Sequence, residues 1–402
     1  MNNPVPQLTV NLWGHLSGGF GLGEGARCTA RALTAAGVRV QWRDLPLATH
    51  VNDQPLDAAE QFQAAAIDLI HTNPNVLRQT DGIMQQIDLQ APLRIGFWAW
   101  ELESFPNGWE SGFCGLDQLW CPSSFCASSL GLRSPIPVTP LPHLIDWDRA
   151  NRLQLLRHKK GISGKQVFNC LFAFDFWSTV SRKNPHGVID AFQLAFPARK
   201  AWGRGTPEAR LVLKLSSSSQ FPDAAHALSE RAIADPRIKI INEHLNNQAF
   251  DQLYLEADVL ISLHRAEGFG LSIAEAMAAE LPVIATGYSG NLDFMPQGSA
   301  ELIPYQLTKL NKTEGDYRAG QVWAEPDLDQ AAKALRNLAK NANYRKQLAK
   351  SGRKAVESNL NITKISNIVR ERLGCLIGKP GRAEVLRELP LMHPYQILDK
   401  LA

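Results

Sequence analysis

Two carboxylates, Glu267 and Glu275, bracket a glycine-rich stretch in HRAEGFGLSIAEAM, residues 264–277. Gly268 and Gly270 let the backbone approach a ligand with no Cβ in the way. A helix starting near Leu271 would offer free N–H groups to an anionic oxygen, with Glu267 just before it and Glu275 inside it. Carboxylates beside such an anion hole suit neutral hydroxyls, as on a sugar or a ribose. The expected ligand has hydroxyls at both ends and phosphate between: a sugar nucleotide. Spacing alone equally allows a plainer role, with Glu267 capping the helix and Glu275 solvated on it.

Positive charge for a phosphate is available in Arg182 and Lys183. They precede Asn184-Pro185, which starts a helix well because proline is tolerated in the first turn. Lys214, ending the apolar run LVLKL, could add a third positive group. The loop SGGFGLGEG, residues 17–25, offers Gly21, Gly23 and Ala26 in a variant of the dinucleotide fingerprint, with Asp44 at a plausible distance for a ribose. That supports a competing reading as a nicotinamide-dependent oxidoreductase. Gly21 lies too far beyond Trp13 for the fingerprint, and a flexible loop closing over a bound diphosphate sugar fits better.

The stretch GFWAWELESFPNGW gathers Trp98, Trp100 and Trp109 with Glu101 and Glu103. Aromatic faces and carboxylates of this kind can line a saccharide acceptor pocket, and Trp98, Trp100 and Glu101 are the candidates; a hydrophobic strand end is the alternative. His15 and His71, near predicted strand ends, could approach an acceptor hydroxyl. Asp146-Trp147-Asp148 has the form of a metal-binding D-x-D, but it sits in a proline-rich connection without sheet context, so no metal site is expected.

Positioning these residues requires parallel sheets with crossover helices, because apolar β-rich runs alternate with helical patterns throughout. Strands are expected at 8–13, 38–42, 67–71, 93–98 and 118–121 in a first domain, with a helix near 25–36. The second carries strands at 167–174, 210–215, 237–241, 258–263 and 282–285, helices at 184–196, 223–234 and 247–256, and a basic helical tail from about 327 to 373. Proline density at 135–142 marks the crossing. The expected domains are 1–160 on the acceptor side, 161–380 for the donor, and a tail at 381–402 that packs back on the first.

The bulk properties exclude several classes. Among 402 residues, 45% are hydrophobic and 20% charged, ordinary globular values that argue against disorder. Net charge is +3 overall, yet residues 1–150 hold 8 Arg, no Lys and 14 acids, leaving +9 for the rest. Attraction for anions belongs to the C-terminal half, without the dense basic stripe of a nucleic-acid binder. The six cysteines form no C-x-x-C pair. No signal-like or membrane-spanning run is found, so a cytoplasmic protein is expected, with at most peripheral contact at the inner face of the membrane.

Residues 258–295, DVLISLHRAEGFGLSIAEAMAAELPVIATGYSGNLDFM, resemble the donor-site segment of the family-four retaining glycosyltransferases of GT-B architecture. DFWSTVSRKNPHGVIDAFQLAF at 175–196 and the N-terminal SGGFGLGEGAR resemble the same family. The resemblance implies two Rossmann-like doubly wound α/β domains facing across a cleft. It implies hexose transfer with retention from a nucleotide diphosphate sugar, GDP-mannose or a UDP-hexose, as co-substrate, with no cofactor or metal. The acceptor would be a hydroxyl of a saccharide or glycolipid in polysaccharide biosynthesis. It assigns Glu267 to the donor hexose and Glu275 to the ribose; with Arg182 and Lys183 at the diphosphate, the expected donor contacts are Gly21, Gly23, Ser178, Lys214, Gly268, Phe269, Gly270 and Leu271. There are two departures from the family. Glu280 stands where a glycine usually ends the motif helix, and Trp177 and Ser178 occupy the positions of an upstream arginine, so Arg182 and Lys183 must supply the charge. A non-catalytic sugar-nucleotide sensor is the reading from another class.

Overall fold

A computed structural model of the chain describes residues 8–57, 62–79, 86–160, 167–197 and 208–377. Its contacts define two compact units, one holding residues up to Leu144 with those from Leu360 onward, the other Ile145–Asn359.

In the first unit, β1 (Thr9–Gly14), β2 (Arg39–Asp44), β3 (Ile67–His71), β4 (Leu93–Phe97), β5 (Gln118–Cys121) and β6 (Val138–Pro140) form a parallel sheet in the order β2-β1-β3-β4-β5-β6. Both β1 and β3 are buried along their length, as strands covered on both faces must be. The proline-rich stretch expected to be an irregular crossing contains β6. Being at the sheet edge, it tolerates a residue that cannot donate to the ladder.

The second unit repeats the plan. Strands β7 (Val167–Asp175), β8 (Glu208–Ser216), β9 (Ile238–Ile241), β10 (Val259–Ser262), β11 (Val283–Thr286) and β12 (Glu301–Ile303) run β12-β11-β10-β7-β8-β9, all parallel. An antiparallel hairpin of β13 (Tyr305–Lys309) and β14 (Val322–Pro326) follows. Its core is aromatic: Phe168, Phe172, Phe174 and Phe176 from β7 and its end meet Phe192 and Phe196 beneath the helix Pro185–Ala195.

The contacts divide the chain between Leu144 and Ile145, ahead of the boundary expected near residue 160. The helix Trp147–Lys160 lies between those positions and docks on the second unit through polar groups. Arg149 and Arg152 both reach Asp251, at 2.7 and 2.8 Å, and Gln154 reaches Glu280 at 2.7 Å. Asp146, read above as half of a D-x-D, accepts the Arg149 N–H at 2.9 Å and so caps this helix. The basic tail is three helices, Leu328–Lys340, Ala342–Leu360 and Ile362–Ile377. The last belongs to the first unit: Arg370 donates to Ala35 O (3.1 Å) and Ala36 O (3.2 Å), meeting carbonyls that the helix Gly21–Ala35 leaves unsatisfied at its end. The tail at 381–402 lies outside the described residues.

Candidate active site

Strand order in the second sheet reverses at β7, with β8 and β9 added on one side and β10 to β12 on the other. In open α/β sheets the crevice beyond the carboxyl ends at such a reversal is where ligands sit. Register between β7 and β10 runs through Cys170–Val259 and Leu171–Leu260, while β7 continues beside β8 to Asp175. The loops after β7 and β10 therefore meet over the opening.

Glu267 enters it from the β10 loop. Its carboxylate, 9% exposed, accepts from Arg182 Nη1 at 3.3 Å and from Lys183 Nζ, both from the β7 side. Arg182 is itself buried at 4% and braced by two carbonyls, Ser178 O at 3.1 Å through Nε and Ala266 O at 2.9 Å through Nη1. Neither cation of the pair points to open solvent, and Lys183 is the more accessible. Burial alone would push the Glu267 carboxyl up, but Lys183, Arg182 and His264 together hold it at about 2.

That displacement is a stability statement. A folded-state value of about 2 against the ordinary 4.5 stabilises the fold fully above about pH 4.5, and the gain is lost as pH falls toward 2. Its size is of order 3 kcal/mol. In denaturant titrations, wild type should exceed Glu267→Gln by an amount constant from about pH 8 to 5 and roughly halved near pH 3. A gap unchanged at the lower pH would mean that the ion pair is not its source.

The surrounding backbone is held in unusual conformations. Five non-glycine residues among those described have positive φ, and three, Thr179, Asn184 and Ser289, flank this cluster. Such residues cost about 1–3 kcal/mol each and collect at functional sites. Ser289, at φ 77 and ψ −150, accepts the Glu267 N–H at 2.8 Å through its hydroxyl and donates to Tyr288 O at 2.6 Å. Asn184 caps the next helix by accepting Gly187 N at 3.1 Å and ties β7 to β10 by donating to Leu263 O at 3.0 Å. Asn184→Ala loses a cap, strands a carbonyl and keeps a left-handed backbone, so chemical denaturation should report a loss of about 3 kcal/mol. A loss under about 1 kcal/mol would show that this link does not hold the loops together.

The helix Leu271–Ala278 begins at Gly270, which has φ 93 and no side chain to cap the first-turn N–H groups. Phe269 is buried at 4% against Phe294, ring centroids 5.0 Å apart, so it anchors the loop from below. Glu275 is no freely solvated helical residue. Arg149 Nη1 pairs with it at 3.0 Å and Tyr254 Oη donates at 3.3 Å, while Asp251 holds the other side of Arg149. Glu280 takes the left-handed conformation, φ 57, that a glycine would adopt more easily. Its carboxylate is fixed by Gln154 at 2.7 Å and His158 at 2.9 Å, contacts that offset the strain.

Most of the other sequence candidates are engaged within the protein. The Lys214 ammonium is buried at the end of its own strand, donating to Leu215 O at 2.6 Å and Ser216 Oγ at 3.1 Å; burial pulls its pKa down. Ser178 meets Arg182 through its carbonyl. In the first unit, the loop after β1 is pinned: Arg27 Nη1 donates to Leu16 O at 2.7 Å and Gly18 O at 2.8 Å. A Cβ on Gly23 would lie 2.4 Å from Gly18 O and 2.6 Å from His15 O, so that glycine serves helix-to-loop packing, whereas Gly21 faces open space. Asp44 accepts the Ser17 N–H at 2.9 Å, a use within the loop. Trp98 and Trp100 do not form an exposed sugar platform. They are 1% and 2% exposed, and both rings pack on Trp109, at 5.9 and 5.4 Å; Glu101, half-buried, is the accessible member of that trio. His15 and His71 lie at the order reversal of the first sheet, with His15 bonded to Thr72 Oγ1 at 3.0 Å.

The segment carrying Arg182, Lys183, Glu267 and Glu275 has a family counterpart. Residues 178–355 match the family model described as Glycosyl transferases group 1. The lipopolysaccharide core biosynthesis mannosyltransferase LpsB of Rhizobium meliloti (strain 1021) is 29% identical over 113 residues, 28% of this chain and 30% of that protein, so the match spans under a third of the relative's length. Among solved structures, a glycosyltransferase from Rickettsia africae ESF-5 superposes with TM-score 0.62 at 13% identity, covering 93% of this chain and 99% of the other. Sucrose-phosphate synthase from Thermosynechococcus elongatus gives 0.61 at 16%, covering 92% and 100%. Anabaena Alr3699/HepE in complex with UDP and glucose gives 0.56 at 12%, covering 92% and 100%. At these identities the structures establish the fold, two α/β units with parallel six-stranded sheets, as in solved glycosyltransferases. The family match supports glycosyl transfer as the class of reaction.

Proposed function

We propose that the chain moves a hexose from a nucleotide diphosphate sugar, GDP-mannose or a UDP-hexose, to a hydroxyl of a saccharide or lipid-linked saccharide, with retention at the anomeric carbon. The observation that carries this reading is the buried Glu267 carboxylate held by Lys183 and Arg182 beside a helix start that lacks a capping side chain. The mannosyl transfer named for LpsB and the UDP and glucose in the Alr3699/HepE complex support the donor class.

As the glycosidic bond breaks, negative charge grows on the leaving diphosphate. Lys183, Arg182 and the first-turn N–H groups from Leu271 onward are fixed in advance to receive it. Glu267 meets the hexose hydroxyls and Glu275 the ribose. Arg149 and Tyr254 each engage one oxygen of Glu275, and a carboxylate has lone pairs left for a sugar hydroxyl. A leaving phosphate oxygen takes the acceptor proton, in keeping with a site whose one central carboxylate is already ion-paired.

Among the described residues, no helix is long and apolar enough to cross a membrane; we propose a cytoplasmic setting with peripheral contact where the acceptor is lipid-linked. Side-chain cations take the role of a metal at the diphosphate, so transfer should persist in EDTA. Loss restored by Mg²⁺ or Mn²⁺ would return the metal reading of Asp146 and Asp148. A mass-spectrometric screen of activated sugars against an acceptor library should yield a product mass increased by one hexose. Tight nucleotide-sugar binding with no transfer or donor hydrolysis would favour a sensor instead.

A further inference from the structure

A second concave site lies at the opposite edge of the same sheet. Asp258 and Pro282, which immediately precede β10 and β11, line a cavity of about 330 Å³. It therefore opens at the amino ends of strands whose carboxyl ends carry Glu267 and Ser289. Its walls also contain Arg157, Lys160, Arg345, Lys346 and Lys350, five basic side chains against the two carboxylates of Asp258 and Glu280. That volume falls in the range of small-molecule pockets.

The charge is fixed in place and only partly offset: Asp258 acts on Arg157 and Arg345, and Glu280 on Arg157 and Lys350. Arg157, half-buried, donates to the carbonyls of Tyr254, Ala257 (3.0 Å) and Glu280 (3.3 Å), and Arg345 donates to Leu338 O. Carbonyl dipoles orient a guanidinium and leave its net charge intact. Both acids are occupied within the protein: Asp258 accepts Asn169 N at 2.9 Å, and Glu280 is held by Gln154 and His158. Lys346 and Lys350 stand on the exposed side of the helix Ala342–Leu360 and form no ion pair among the described residues. A merely solvated basic face would carry mobile lysines on a convex surface; here two braced arginines and three lysines converge on a hollow.

We propose that this cavity is a second anion site, separate from the donor site, that takes a compact phosphate-bearing group. Guanidinium forks suit phosphate oxygens, and the lysines add point charges around them. The phosphate could belong to a free phosphorylated solute or to a lipid headgroup.

Pyrophosphate binding to the full chain, measured by calorimetry at low salt, tests this. The Lys346→Ala/Lys350→Ala change disables the cavity and leaves the donor site untouched; alanine favours the helix, and both lysines are exposed, so folding should survive. The expected result is two binding events in the wild type, one of which the paired lysine change weakens about tenfold, equivalent to about 1.4 kcal/mol, while the other is unchanged. Glycerol 3-phosphate and sedimentation with phosphatidic acid vesicles distinguish the sources. Binding of the soluble ester without vesicle retention identifies a free solute, and retention that pyrophosphate reverses identifies a headgroup. If the wild type shows a single pyrophosphate-binding event, or if the paired lysine change leaves both events intact, there is no second site.

Discussion

Lys183→Ala should lower turnover by about 10²- to 10³-fold while changing donor affinity much less. In the proposed reaction the diphosphate is held in the ground state, but the attraction strengthens as the glycosidic bond breaks and charge moves onto the leaving oxygen. Lysine is the cleaner test of the two cations. Its side chain is 18% exposed against 4% for Arg182, and its ammonium reaches the same carboxylate. Arg182→Ala would also strand the carbonyls of Ser178 and Ala266, mixing lost catalysis with lost stability. Steady-state kinetics with a direct donor-binding measurement separates the two effects. Near-normal turnover in folded Lys183→Ala and Arg182→Ala proteins would require the diphosphate to be held elsewhere.

The two glutamates should part company when each is replaced by alanine. In the proposed role Glu275→Ala removes hydrogen bonds to the ribose, so donor and free nucleoside diphosphate should both bind more weakly by about 1.5–3 kcal/mol. Arg149 keeps Asp251 as a partner at 2.7 Å, which limits structural damage. Glu267→Ala should instead spare nucleotide affinity and abolish most transfer, because Lys183 and Arg182 keep their positive charge for an anion. It should also lower stability, since buried cations lose their counter-charge. Titrations of free nucleoside diphosphate into both variants decide the matter, and an equal loss of affinity would mean that the assigned roles are wrong.

What the sequence disclosed depended on which physical signal each residue leaves. The alternation of apolar runs and helical patterns marked most of both sheets, because buried parallel strands read as continuous hydrophobic runs. Glu267, Arg182 and Lys183 were legible because glycines and a proline announce the loops that bring them together. The helix Trp147–Lys160 was not: only Ala150 and Leu153 are buried, and it docks through Arg149, Gln154 and Arg157. Ionic docking leaves no apolar period to detect, so the partner of Glu275 went unseen. Trp98 and Trp100 misled for the opposite reason, since aromatic residues that could stack on a sugar equally stack on Trp109. Ser289 and His264 carry no sequence signal of their own. Their positions follow from a loop packing that only three dimensions reveal, with His264 bonded to Ser262 Oγ at 3.1 Å and Asn291 Oδ1 at 3.2 Å.

Retention of anomeric configuration by a nucleotide-sugar transferase is the central claim, and proton NMR of the first product formed from an α-linked nucleotide hexose tests it most directly. The account predicts an α-linked anomeric signal from the earliest time points, present in EDTA and much slower to appear with Lys183→Ala. A β-linked first product, or an α-linked one whose rate does not depend on Lys183 and Arg182, would contradict it.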